Sequence, residues 1–176
     1  MNIEEIYEKL DEVSPLDCDC GRLCESLCCT YNSDDYSNED LTIYLLPGEE
    51  KFHKKEDLIK VEAKELGYPF SWKNGVYLFR CLTPPKCKRE IRPIQCRSYP
   101  LIPHISKNGE FHLIFDESEY PYECPLIHEN LKLNEDFIKV TCECWKELLE
   151  NKLIRDLIEM DSRKKDNRKA EYTIVI

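Results

Sequence analysis

Residues 18–29 read Cys-Asp-Cys-Gly-Arg-Leu-Cys-Glu-Ser-Leu-Cys-Cys, which places five thiols within twelve positions. A hydrophobic core has no need of that density. Thiolates are soft ligands that select zinc, copper(I) or iron–sulfur clusters. Short spacings let several sulfurs converge on one centre with little loop to close. The chemistry implied is metal binding.

The remaining cysteines extend the pattern. Cys20-x3-Cys24-x3-Cys28-Cys29 forms a first half; Cys81-x5-Cys87-x8-Cys96, with Cys124 further on, forms a second. Four and four make eight, the number for two tetrahedral thiolate sites or one polynuclear site. The candidate ligands are therefore Cys20, Cys24, Cys28, Cys29, Cys81, Cys87, Cys96 and Cys124. Adjacent cysteines serve one tetrahedral ion awkwardly, because the peptide between them is stiff and their side chains diverge. Cys28 and Cys29 are better suited to two neighbouring centres, or to a bridge, so the two halves should interleave.

Three cysteines are surplus to eight. Cys18, two residues before Cys20, is an alternative ligand at that position. Cys142 and Cys144 fall in a helical segment, where residues two apart point in different directions. Both read as small buried hydrophobes. His128 follows Cys124 at one helical turn and is a weaker ligand candidate than an exposed or capping residue. His53, His104 and His112 have no partner at ligand spacing and read as surface or hairpin residues. Arg92 and Arg97 flank Cys96. Four thiolates on one zinc leave two negative charges, so charge compensation is the reading preferred over loop-fixing backbone hydrogen bonds. Glu49 and Glu50 read as the start of a segment rather than as acid–base groups.

Two stretches also carry a resemblance. Asp19-Cys20-Gly21-Arg22-Leu23-Cys24…Cys28-Cys29 with Tyr44-Leu45-Leu46-Pro47-Gly48-Glu49-Glu50 is one. Cys81…Cys87-Lys88-Arg89-Glu90-Ile91-Arg92-Pro93-Ile94-Gln95-Cys96-Arg97-Ser98-Tyr99-Pro100 is the other. Together they resemble a bacterial family of zinc- or iron-chelating proteins with a CxxCxxCC cluster, a family of unsettled biochemical function. The likeness spans residues 19–124, and Arg-Pro-x-x-Cys-Arg-x-Tyr-Pro is its most specific part. It implies a metal centre on the same eight cysteines. The spacing departs from the pattern: three residues rather than two separate Cys20, Cys24 and the Cys28-Cys29 pair, which bears on how the ligands pair.

The elements that must position these thiols follow from periodicity. Residues 2–13 set Ile3, Ile6, Tyr7, Leu10 and Val13 at helical spacing, and Ser14-Pro15 ends the helix. A polar loop is expected over 32–40 and a strand over 41–46, closed by Pro47-Gly48. A helix is expected over 54–66, stopped by Gly67. Residues 76–79 form a strand running into Cys81. Residues 99–105 and 110–115 form a hairpin about Asn108-Gly109. Residues 135–160 are the longest periodic segment, expected as one long helix. Residues 161–169 read as a charged spacer and 171–176 as a strand. The expected fold is α+β: a small domain over 1–160 with a few antiparallel strands, metal-tethered loops and a long C-terminal helix, followed by the spacer and terminal strand over 161–176.

Composition bounds the function. The 176-residue chain is 41% hydrophobic and 34% charged, a balance suited to a globular core rather than disorder. A net charge of −10 argues against general affinity for nucleic acid or anionic membrane. The start of the chain lacks the basic and apolar regions of a signal peptide, and no run approaches the roughly 20 apolar residues of a membrane span. The expected location is cytoplasmic, where metal explains eleven cysteines better than disulfides do. Zinc held in structural or chelating thiolate sites ranks first. An iron–sulfur redox protein ranks second, since four cysteines suit those clusters equally. A distant third is an enzyme related to protein-lysine methylation, because the resemblance includes larger relatives that methylate flagellin lysines; no S-adenosylmethionine signature is visible. The partners read from this are metal ions, with no protein partner indicated, while the terminal strand permits a homodimer.

Overall fold

The computed structural model describes residues 2–30, 41–81, 87–116, 122–129 and 131–176. The polar loop expected over 32–40 lies outside them. Helix α1 (Ile3–Asp11) opens on Asn2, whose side chain accepts from Glu4 N–H at 3.1 Å. That supplies one of the acceptors its first turn lacks. Its buried face is Ile3, Ile6, Tyr7 and Leu10. It packs on α5 (Glu135–Leu148), which contributes the fully buried Phe137, Trp145 and Leu148. These residues, with Leu46, Ile94, Leu101 and Leu113, belong to the main core.

The long helix expected over 135–160 is two helices. Leu149 N–H still bonds Trp145 C=O at 2.9 Å, but the chain then turns. Asn151 takes an extended conformation and its side chain accepts from Leu153 N–H at 2.9 Å, starting α6 (Lys152–Arg168). An asparagine that satisfies backbone donors locally offers a helix restart in place of continuation. Helix α6 runs on through residues 161–168, so the expected charged spacer is helical. Lys169, in the left-handed region at φ 53°, ends it.

Two three-stranded antiparallel sheets complete the α+β domain among the described residues. The first comprises β1 (Thr42–Tyr44), β2 (Leu58–Val61) and β3 (Val76–Arg80), in order β1-β3-β2. Strand β2 replaces the helix expected over 54–66, with a 3-10 turn on each side (Lys55–Asp57 and Ala63–Leu66). Leu58, Ile59 and Val61 fit a strand as well as a helix, and pairing Ile59 with Leu78 and Val61 with Val76 decides between them. Gly67 stops the second 3-10 turn rather than a helix. Gly75, at φ 81°, lies where a Cβ would stand 2.7 Å from Val61 C=O, so no larger residue fits that turn.

The second sheet is the expected hairpin, β4 (Ile102–Ile105) and β5 (Phe111–Asp116), joined by β6 (Tyr172–Ile174) on the far side of β5. The terminal strand thus finds its partner within this chain. Helix α6 lies on β4, and Ser162 Oγ accepts from Ile105 N–H at 2.9 Å. Three shorter helices, α2 (Leu27–Thr30), α3 (Ile94–Ser98) and α4 (Pro125–His128), carry or adjoin cysteines. No helix among the described residues is long and apolar enough to cross a membrane.

Candidate metal centre

The first four thiols are set by a tightly wound loop. Asp19 accepts from Gly21 N–H at 3.1 Å and caps a 3-10 turn, Cys20–Arg22. Glu25 and Ser26 both adopt positive φ, 52° and 60°, reversing the chain after Cys24. Ser26 N–H bonds Gly21 C=O at 2.9 Å, and a Cβ on Gly21 would meet Ser26 Oγ at 2.3 Å. A larger residue at Gly21 would have to push the Ser26 hydroxyl aside. Helix α2 then presents Cys28 and Cys29, with Sγ atoms 3.8 Å apart.

Each thiol of the second half hangs on a different element. Cys81 follows β3 directly and donates its N–H to Leu41 C=O at 2.9 Å. Cys87 is anchored through its carbonyl, which accepts from Arg92 Nε and Nη2 at 3.3 and 3.1 Å. Cys96 sits within α3. Cys124 caps α4, its carbonyl accepting from Ile127 and His128 N–H at 3.0 and 2.9 Å.

The electrostatics show how these segments converge. Cys28 shares a hydrogen bond with Cys29. It holds Cys28 well above the ordinary thiol range, reinforced by burial and by the charges of Cys29, Cys20 and Cys24. The same bond lowers Cys29, with the Arg92 guanidinium helping. Burial raises Cys20, and Asp19, Cys124 and Cys24 add to it. Cys81 is pushed up to about 11 by burial, then by Cys87 and Cys29. Cys96 keeps exposed surface, yet surrounding protein displaces enough water to push its thiol up to about 12, with Cys29 and Cys81 contributing. The eight candidate ligands therefore feel one another in two sets. Cys20, Cys24, Cys28 and Cys124 form one; Cys29, Cys81, Cys87 and Cys96 form the other. The sets meet at the Cys28–Cys29 contact.

Among the described residues, no three His, Cys, Asp or Glu side chains stand close enough together to hold a metal ion as placed. The thiols are near neighbours rather than a closed shell. Burial is the first cause of the raised Cys20, Cys81 and Cys96 thiols, and the neighbouring sulfurs add to it. A soft divalent ion would reverse that balance and displace the protons. The donor set fits such an ion.

Other candidates lie apart. Cys18 is exposed. Cys142 and Cys144 are buried in α5; burial holds Cys144 up at about 11, with Lys9, Glu147 and Glu143, but no cysteine, as its charged neighbours. His128 is exposed at the end of α4. His104 and His112 face each other across the hairpin, and His104 is buried rather than at the surface, with Nε2 3.5 Å from Asp166. His53 is half-buried against the Phe79 ring.

The chain matches no protein-family model, no curated protein and no solved structure.

The two arginines beside Cys96 divide the roles expected of them. Arg92 lowers Cys29 and Cys96 as well as holding the Cys87 carbonyl. Arg97 is buried and fixes the backbone instead: it donates to the carbonyls of Arg92, Arg89 and Tyr7, at 2.6, 2.8 and 3.3 Å, and to the Asp11 carboxylate. Its guanidinium also covers the Tyr7 ring at 4.1 Å. Arg89 repeats the pattern, donating to Leu10 C=O at 2.7 Å, to Val13 C=O and to Asp11. Burial pushes the Asp11 carboxyl up, but Arg97 and Arg89 outweigh it and hold the group below its usual range.

Two supporting groups escaped sequence reasoning. Glu49 is fully buried, accepting from the Tyr7 hydroxyl at 2.7 Å, Ile94 N–H at 2.8 Å and Leu46 N–H at 2.7 Å. It binds α1, the Pro47-Gly48 turn and the start of α3, two residues before Cys96. Burial raises the Tyr99 hydroxyl, and Tyr122 and Cys124 beside it add to the rise on the other side of the cluster. The only signals for these were their places within the two motifs, where a buried acceptor is not distinguishable from a turn residue.

Proposed function

We propose that this chain is a metal-binding protein holding zinc through the thiolates of Cys20, Cys24, Cys28, Cys29, Cys81, Cys87, Cys96 and Cys124, as the resemblance to zinc- or iron-chelating proteins implies. The observation that carries this reading is the gathering of those eight thiols, drawn from four separate stretches, into one electrostatically connected cluster. Cys142 and Cys144 are buried in α5 instead. Zinc has no redox chemistry and takes four ligands in structural sites, four thiolates among the sets it accepts, and two such sets account for all eight. The metals would tie together segments far apart in the chain, so the sites are structural or chelating. Cys28 and Cys96 keep exposed surface, which gives an incoming ion a way in.

The test is metal content by mass spectrometry, with an absorption spectrum, on protein purified without oxygen. About two equivalents of zinc and no visible absorption are expected. Iron with acid-labile sulfide and a visible band would replace this reading by an iron–sulfur protein. Neither metal would leave the thiols without the proposed role.

A further inference from the structure

Cys28 and Cys29 are consecutive on the chain, where side chains ordinarily diverge, yet their Sγ atoms stand 3.8 Å apart. The local backbone sets this approach. Glu25 and Ser26 reverse the chain at positive φ, and Ser26 C=O then accepts from Cys29 N–H at 2.7 Å. Both thiols ride on α2, a helix of a single turn. Cys28 is exposed and Cys29 half-buried, so a small solute in water can reach the pair.

A disulfide needs its two sulfurs to close to about 2.05 Å. Consecutive Cα atoms lie only about 3.8 Å apart across a trans peptide, against roughly 4.4–6.8 Å in ordinary disulfides. A bond between these neighbours is therefore strained, and forming it opens no more than the one turn of α2. Strained or exposed disulfides are the labile kind, which a thiol reductant readily undoes.

We propose that Cys28 and Cys29 are a site of reversible oxidation by peroxides, which join them in a vicinal disulfide. One thiolate attacks the peroxide: an S–O bond forms, the O–O bond breaks and hydroxide leaves, giving a sulfenic acid. The neighbouring thiolate attacks that sulfur: the S–S bond forms, the S–O bond breaks and a second hydroxide leaves. The two sulfurs give up two electrons, the peroxide takes them, and two protons from solvent turn the hydroxides into water. The consequence for metal rests on the function proposed above: one bond withdraws two of the eight thiolates, so zinc is released.

The test starts from the full chain purified without oxygen, with its zinc measured. It is treated with a few equivalents of hydrogen peroxide in the presence of a colorimetric zinc chelator. Unfolding, alkylation of free thiols and peptide mass spectrometry with fragmentation then map every cysteine. Cys28 and Cys29 are expected as a linked, unalkylated pair, with Cys142 and Cys144 alkylated and the zinc passed to the chelator. Dithiothreitol should restore both thiols. Cys18→Ser, which lies outside the eight, should oxidise as the parent does. Sulfinic acid at either thiol, a bond from either to Cys18 or Cys24, or zinc retained after the pair has joined overturns the proposal. A Cys18→Ser variant in which the pair no longer joins overturns it equally. The metal reading fails separately: a vicinal bond formed in protein that held no metal at the outset supports the oxidation site and sinks that reading alone.

Discussion

Glu49 shows how a single side chain can hold a site it never touches. Three donors converge on its carboxylate from α1, from the turn after β1 and from the first residue of α3. Burial raises its pKa, while the N–H groups of Ile94 and Leu46, the Tyr7 hydroxyl and the Arg97 charge favour the ionised form. Glu49→Gln keeps the shape but turns an amide NH2 toward N–H donors, so at least one buried donor loses its acceptor. The expected cost is about 3 kcal/mol, against about 1 kcal/mol for Tyr7→Phe, which removes one donor only. Thermal denaturation of the two variants checks this, with midpoints expected to fall by roughly 9 °C and 3 °C in a domain of this size. Equal shifts would mean that the carboxylate is not the hub.

Among the elements, the junction between α5 and α6 matters most, because α6 carries the contact to β4. Asn151 makes the junction by capping α6. Asn151→Ala should cost about 1 kcal/mol, and Asn151→Gly only a few tenths, since glycine also tolerates the cap conformation. Denaturant melts of the two variants measure the difference. The same junction explains a misreading. Trp145, Leu149 and Leu153 keep a four-residue spacing across the break, so apolar periodicity runs on as though one helix continued. One asparagine among charged residues is too weak a signal to interrupt it. Residues 54–66 failed for the opposite reason: three apolar residues in four positions satisfy either period, and only β3, with which they pair, selects the strand. By contrast, strand β3 and the Asn108-Gly109 hairpin were legible, because alternation and turn chemistry are local.

At the scale of the molecule, the thiols were legible because cysteine is scarce and its spacing is short. The influence of Cys124 on Cys20 was not, since it arises only once the fold has returned the chain to its start. The burial of Cys142 and Cys144 was legible, since both read as small hydrophobes in a helical segment, and α5 buries them. If zinc occupies the two sets, Cys124→Ser should empty one and Cys87→Ser the other, each lowering zinc from about two equivalents to about one. Metal analysis of both variants reads this directly. Loss of all the zinc from either would mean a single polynuclear centre joined through Cys28 and Cys29.

The register of the second sheet has a consequence for the order in which the protein is made. Strands β4 and β5 pair across a short turn and can form as soon as both have left the ribosome. Their third partner, β6, is separated from β5 by α4, α5 and α6. Until it arrives, Leu113 N–H and C=O, which bond Ile176 C=O and Val175 N–H in the finished sheet, face outward on an unpaired strand beside Ile114 and Phe115. Open apolar edges of that kind are where nascent chains pair with one another. Synthesis of the two long helices thus sets the time during which a half-made molecule is exposed to its neighbours.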